Sequence, residues 1–385
     1  MNIAIVTHNV LYGDGQGRVN YEIAKFAINR GHHVTLVACR VAPDLLASDR
    51  VTFVRAAPPN LPLPVKSLLF ALQSSRWLMA NRAKLDVVHV NGWVTFADAD
   101  INAVHFVHTA WLRSPVHTSR VRRGVYGFAQ YLYTSLNAKL EAFAFRKAKV
   151  LVAVSQQVRR ELIQLGTPEE KVRVVFNGVD LQAFYPGDVD RAALGLPRDV
   201  VLALFVGDIR NSRKNLDTVL EAIALIPDIH LAVVGRVEGS PYPQLAKELG
   251  VSGRVHFLDF RSDVADIMRA SDLFVFPSRY EACSLALLEA LSSGLPIVTA
   301  KTTGGAEIVT SACGVAISNA DNVGELVSAI TELASSTSLR RRMSTAARLT
   351  AEEHAWEQVA GIYLGLYEEY SSAGRAQHEL SEVPQ

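Results

Sequence analysis

Residues 276–299 read FPSRYEACSLALLEALSSGLPIVT, and the fold turns on this stretch. The apolar run from Asp272 to Phe276 reads as a buried parallel strand, ended by Pro277 and Ser278. From Ser284 to Ser293 the apolar residues Leu287, Leu288 and Leu291 fall at helical spacing, and Gly294 and Pro296 stop the helix. The next strand is expected at Leu295 to Thr299. Strand, loop, helix, strand is the repeating unit of an open α/β sheet, whose ligands bind at the carboxyl edge of the strands. Glu281 falls in the loop at that edge, and Glu289 lies eight residues later on the helix.

Glu289 stands among Leu287, Leu288, Ala290 and Leu291, where a carboxylate without a partner is costly. Vicinal ribose hydroxyls can each donate to one of its oxygens without a metal. Glu281 is placed to accept hydroxyls from a sugar, and the backbone N–H groups of Cys283, Ser284 and Leu285 at the helix start are placed to face a phosphate. The alternative is a solvated Glu281 and a helical Glu289 stabilised by the helix dipole.

With its neighbours, YEACSLALLEALSSGLPIV resembles the E-x7-E region of the retaining glycosyltransferases of family 4. Further stretches resemble the same family in the same order: VSQQVRREL (Val154 to Leu162), VVFNGVDLQAF (Val174 to Phe184), RKNL (Arg213 to Leu216) and TGGAEIV (Thr303 to Val309). The usual Gly, Phe and Gly after the first Glu are Ala282, Cys283 and Ser284 here. The resemblance implies a GT-B-like fold: two facing Rossmann-type doubly wound parallel-sheet domains, with a C-terminal helix crossing back to the first.

Composition agrees with a globular α/β protein: 385 residues, 49% hydrophobic and 20% charged, enough for two domains with their own cores. No apolar run reaches the roughly 18 residues of a membrane span. The opening MNIAIVTHN reads as a strand without a cationic leader, so secretion is not expected. Cys39, Cys283 and Cys313 are odd in number and lack metal spacing, which fits a reducing cytoplasm. The net charge of +1 conceals a split: residues 1–185 carry 22 Lys and Arg against 12 Asp and Glu, or +10, and residues 186–385 carry 17 against 26, or −9. An anionic partner for the first half accounts for this, and so does mutual attraction of the halves. The basic residues form no recognised nucleic-acid module, and nucleic acid is not an expected partner.

In chain order, Asn2 to Thr7 reads as a strand and His8 to Gly17 as a loop carrying Gly13, Gly15 and Gly17 before a helix from Arg18 to Asn29. Such a loop brings backbone close to a phosphate or sugar, or is a plain tight turn. In the resembled family it faces the acceptor and the donor phosphate. Strands are expected at His33 to Cys39, Val51 to Arg55, Asp86 to Asn91, Val104 to Val107, Val150 to Val154 and Arg173 to Phe176. His105 and His108 then end a strand, where an imidazole is commonly a structural group. By the resemblance, His108 contacts the transferred sugar and His105 does not. Asp98 and Asp100 form a D-x-D, discounted as a metal site because the resembled architecture is generally metal-independent. A helical stretch from Ser119 to Lys149 gathers Arg120, Arg122 and Arg123 with Tyr126, Phe128, Tyr131 and Tyr133, which suits a lipid headgroup interface or a core face.

The domain break is expected near 185, in NGVDLQAFYPGD, with a second α/β domain over 186–355. After its first strand, Val200 to Asp208, the segment DIRNSRKNL places Arg210, Arg213 and Lys214 at a helix start, where cations and N–H groups can hold a diphosphate. Lys214 matches the family's diphosphate-binding Lys. The family's Arg after the strand's Gly is Asp208 here, and Arg210 is expected to replace it, since neighbouring side chains Arg213 and Lys214 should point apart. A helix over 356–370 is expected to cross back, followed by a polar tail from 371 to 385.

These readings predict sugar transfer from a UDP- or GDP-linked donor, with retention, to a sugar, lipid-linked or other small-molecule acceptor, without metal or cofactor. His108, Arg210, Lys214 and Glu281 are expected at the reacting centre; Gly13, Gly15, Gly17, Arg213, Cys283, Ser284, Leu285 and Glu289 are expected to bind substrate. The protein is expected in the cytoplasm, with the inner membrane face as a peripheral docking site for its first domain. A nucleotide-sugar epimerase or hydrolase, or a non-catalytic sugar-nucleotide binder, remains the alternative.

Overall fold

The structure, a computed structural model, describes residues 1–59, 62–122 and 124–371. The polar tail after 371 and Arg123 lie outside the described residues. The chain forms two compact units: Met1–Asn177 joined by the helix Trp356–Tyr370, and Gly178–Ala355.

The first unit contains β1 (Asn2–Val6), β2 (Asn9–Val10), β3 (His33–Ala38), β4 (Arg40–Val41), β5 (Val51–Arg55), β6 (Val87–Asn91), β7 (Ala99–Val104), β8 (Ala148–Ala153) and β9 (Val172–Val174). Seven of these make one sheet in the order β5-β3-β1-β6-β7-β8-β9, with every neighbour parallel, while β2 pairs with β4. Helices on a parallel sheet cover both faces, so its strands are continuously apolar; Ile3, Ala4, Ile5 and Val6 are fully buried. The winding reverses between β1 and β6, which opens a crevice at their carboxyl ends. Helix Trp356–Tyr370 packs on this unit: Tyr367 Oη lies 2.7 Å from His89 Nδ1 on β6, and the His89 ring stacks on Tyr363.

The second unit repeats the pattern with β10 (Val201–Val206), β11 (Ile229–Val234), β12 (Val255–Phe257), β13 (Leu273–Phe276), β14 (Ile297–Ala300) and β15 (Gly314–Ile317), in the order β12-β11-β10-β13-β14-β15, all parallel. Its reversal lies between β10 and β13. The helix Leu285–Ser292 follows β13; Ser284 Oγ caps it by accepting from Leu287 N–H at 3.3 Å. Leu287, Leu288 and Leu291 are fully buried, each worth about 2 kcal/mol. Gly294 ends the turn in the left-handed region, φ 74°.

Several boundaries differ from the sequence reading. The first helix starts at Gly15 rather than Arg18, so Gly15 and Gly17 lie in its first turn and not in the loop. The strand expected at Val104 to Val107 is Ala99–Val104, so the polar Asp100 and Asn102 lie inside a strand; Arg82, Lys149 and the Val88 N–H satisfy the Asp100 carboxylate. The helix expected over Ser119 to Lys149 is two, Thr118–Val121 and Val125–Lys147, separated at Gly124 with φ 94°. The units part at Asn177 rather than near 185, because residues 178–184 are bonded into the second unit. Val179 N–H donates to His354 O, while Phe184 O accepts from Ser292 Oγ and Arg348 Nη1.

Candidate active site

In the second unit the loops leaving β10 and β13 meet at the reversal point. The first passes Gly207 and forms a 3-10 turn, Ser212–Lys214, followed by Asn215 in the left-handed region at φ 67°. Fully buried Asn215 makes that conformation worthwhile by donating through Nδ2 to Pro277 O (3.0 Å) and Ala320 O (2.6 Å). The second loop carries Glu281, whose Oε2 takes the Lys214 ammonium and lies 3.6 Å from Arg213 Nη1. The Lys214 ammonium also stands 4.9 Å from the Phe276 ring centroid. Burial lowers the Lys214 pKa, and Arg213 adds to that, against the upward pull of Glu281. Burial alone would raise Glu281, but Lys214 and Arg213 together hold its carboxyl below the usual range.

Arg210 does not join this cluster. Asp208 holds its guanidinium in a fork, Nε to Oδ1 at 2.9 Å and Nη2 to Oδ2 at 3.2 Å, with about half of the side chain exposed. The sequence reading expects Arg210 beside Lys214, and the pairing with Asp208 holds it elsewhere. Arg213 takes that place: although it adjoins Lys214, its long side chain reaches the same carboxylate oxygen, Nη1 to Glu281 Oε2 at 3.6 Å. Arg279, which the sequence reading passed over, fixes this turn. Its N–H donates to Arg213 O (2.9 Å), its Nη1 to Ser212 O (2.7 Å), and its guanidinium pairs with Asp217 and Asp321.

The loop after β14 closes against Glu281. Gly304 N–H donates to Glu281 O at 2.8 Å, and a Cβ at Gly304 would lie 1.9 Å from Ala282 O, so only glycine fits. Ser284 N–H, expected to face a phosphate, instead donates to Gly304 O at 3.1 Å. Cys283 is buried, Leu285 partly so, and Cys283 Sγ would lie 3.7 Å from a Cβ at Gly305. Glu289 is half-buried one turn into the helix.

In the first unit a cavity of about 140 Å³ opens at the reversal between β1 and β6, lined by His8, Asn91, Trp93, His105, His108 and Glu141 among others. His108 begins the short helix His108–Arg113 rather than ending a strand. Both oxygens of Glu141 hold it, Oε2 accepting from its backbone N–H at 2.8 Å and Oε1 lying 2.6 Å from Nδ1. Burial pushes His105 down to about 4. Glu141 was missed, although it is the single acidic residue between Asp100 and Glu161. Of Gly13, Gly15 and Gly17, none has positive φ; a Cβ at Gly13 or Gly15 would meet no protein atom, while at Gly17 it would strike Asp14, the cap of the helix Gly15–Asn29. Among the described residues no group of three His, Cys, Asp or Glu is placed to hold a metal ion, and Asp98 pairs with Lys147.

Two family descriptions match successive parts of the chain: Glycosyltransferase Family 4 over residues 13–183 and Glycosyl transferases group 1 over 188–350. The D-inositol 3-phosphate glycosyltransferase of Mycobacterium tuberculosis is 32% identical over 351 residues, covering 85% of this chain and 71% of the relative. Sucrose-phosphate synthase from Thermosynechococcus elongatus superposes with a TM-score of 0.79 at 20% identity, over 96% of this chain and 98% of that one. Anabaena HepE, solved in complex with UDP-glucose, gives 0.68 at 20% identity, over 94% and 97%. The fold is thus the GT-B fold of these structures, and the chain belongs to the glycosyltransferases of family 4.

Proposed function

We propose that the chain transfers a sugar from a UDP- or GDP-linked donor to an acceptor with retention at the anomeric carbon. One observation carries this reading: Arg213 and Lys214 converge on Glu281 at the switch point of a parallel sheet. Two cations in a poorly hydrated site suit a diphosphate that gains charge as it leaves. On donor binding, phosphate oxygens take over the Lys214 ammonium and free Glu281 to accept hydroxyls of the sugar. Glu289 holds the ribose diol, the Cys283 and Leu285 N–H groups face the phosphate, and His108 contacts the transferred sugar. Gly13 and the helix start at Gly15 and Gly17 lie on the acceptor side.

In the reaction the bond between the anomeric carbon and the β-phosphate oxygen breaks, and the acceptor oxygen bonds to that carbon on the same face. Its proton passes to the departing phosphate oxygen. No protein nucleophile and no metal ion enters this reading, because Lys214 and Arg213 neutralise the leaving group. HepE binds UDP-glucose and the mycobacterial relative is named for a phosphorylated polyol; both fit a nucleotide donor here and, with the +10 balance of residues 1–185, an anionic acceptor.

A thermal-shift screen with UDP, GDP, ADP and TDP sugars tests the donor: a ligand at about 100 times its dissociation constant stabilises by roughly 2.7 kcal/mol. Absence of any shift refutes the reading, and equal turnover with and without acceptors identifies a hydrolase instead.

A second reading concerns where the acceptor is met. Phe128, Leu132 and Leu136 are exposed at i, i+4, i+8 on one helix, Leu68 and Leu72 at i, i+4 on Leu63–Asn81, and the exposed Arg120 and Arg122 precede the first of these helices in the chain. Such a basic and apolar surface fits an anionic membrane. Co-sedimentation with phosphatidylglycerol vesicles and none with phosphatidylcholine is the expected result; equal recovery with both refutes it.

A further inference from the structure

We propose that Glu141 is the positioning residue for His108: its carboxylate fixes the imidazole with the hydrogen on Nδ1, so that Nε2 is offered as an acceptor to one hydroxyl of the transferred sugar. The proposal rests on the reading that His108 faces that sugar.

Three observations carry it. The Glu141 carboxylate spans His108, with one oxygen taking the backbone N–H at 2.8 Å and the other lying 2.6 Å from Nδ1. Both oxygens act as acceptors, so Nδ1 is the donor, and in the neutral ring Nε2 then keeps its lone pair. His108 lines the cavity and its side chain is 24% exposed, whereas the Glu141 side chain is 6% exposed. Both residues line the cavity, and the imidazole is the more accessible of the two to a ligand. Finally, Glu141 sits on a rigid element. Leu140 and Ala144, its neighbours on the helix Val125–Lys147, pack with Ala71, Trp93 and Phe96. A buried carboxylate on an imidazole needs such support to orient it.

The geometry has a chemical consequence. An Nε2 lone pair backed by a carboxylate accepts from a hydroxyl and opposes the carboxylate of a uronic acid at the same place. The Glu141–His108 pair thus favours a neutral sugar with a free hydroxyl at the position it reaches.

The test uses the full chain as wild type, Glu141→Ala, Glu141→Gln and His108→Ala. Imidazole nitrogen NMR shifts at neutral pH should show the Nδ1–H tautomer of His108 in wild type and its loss in Glu141→Ala; an Nε2–H tautomer or a doubly protonated ring in wild type overturns the proposal. Hydrolysis of UDP-glucose, or of the donor that the thermal-shift screen selects, is then followed without acceptor. Glu141→Ala should lower kcat about 10- to 100-fold with UDP affinity unchanged. Glu141→Gln should fall between, since its carbonyl keeps the Nδ1 bond. One monodeoxy analogue of the donor should lose as much with wild type and lose no more with Glu141→Ala.

Loss of activity in His108→Ala with wild-type kcat in Glu141→Ala overturns the positioning role and leaves the reading of His108 standing. Wild-type kcat in His108→Ala overturns both. If both Glu141 variants lose activity only in proportion to their unfolded fraction, the carboxylate serves folding and the proposal fails.

Discussion

Arg213 Nη1 lies 3.6 Å from Glu281 Oε2, the same oxygen that takes the Lys214 ammonium. Two adjacent cations therefore share one carboxylate, and in the proposed function the second phosphate-binding cation is Arg213 rather than Arg210. Arg213→Ala should lower kcat a hundredfold or more, about 2.7 to 4 kcal/mol of lost transition-state stabilisation. Arg210→Ala, which disturbs an exposed pair with Asp208, should stay near wild type. Steady-state kinetics showing the opposite order would return the role to Arg210.

Glu281 also stabilises the fold. Its side chain is 15% exposed and that of Lys214 14%, so removing the carboxylate leaves buried cations unpaired. Glu281→Gln should cost about 3 kcal/mol by chemical denaturation. UDP, by supplying an anion to Lys214, should raise the Tm of the variant more than that of wild type. An equal rise in both contradicts the exchange of phosphate for Glu281.

Acid sensitivity should centre on His89. It is fully buried, and burial, with His105 adding to it, lowers its pKa from 6.5 to about 3. The folded value lies below the unfolded one, so its contribution to stability is complete above 6.5 and is lost as pH falls toward 3. The slope is about 1.4 kcal/mol per pH unit within that window. Unfolding midpoints of wild type and His89→Gln, measured from pH 7 to pH 4, should converge as pH falls; parallel curves would exclude His89 as the titrating group.

Glu289→Ala should abolish nucleotide binding, whereas Glu281→Ala should keep the nucleotide and lose discrimination between the sugar donor and the free diphosphate. Calorimetry with UDP and UDP-glucose separates the two. The same losses for both ligands in both variants would remove the division of labour.

Rising salt should weaken acceptor use more than donor use, because screening acts on the +10 balance of residues 1–185. An acceptor KM that does not change with ionic strength would dismiss an anionic acceptor.

Local chemistry made much of the protein legible. The apolar runs of the parallel strands, the spacing of Leu287, Leu288 and Leu291, the Ser284 cap and the Gly294 stop are set by residues a few positions apart, and these elements stand where the sequence places them within a few residues. The strand at Ala99–Val104 escaped that reading because its polar Asp100 and Asn102 are satisfied by groups outside the strand: Arg82, Lys149 and the Val88 N–H among those for one, Gly92 for the other.

Sequence alone determined the two parallel sheets, since period and caps act along the chain. Tertiary structure decided which side chains meet. Asn215 holds its left-handed turn through carbonyls 62 and 105 residues away, and that turn brings Arg213 to Glu281. Glu141 reaches His108 across 33 residues. Such pairings are set by where helices pack on the sheet, and no local preference along the chain encodes them.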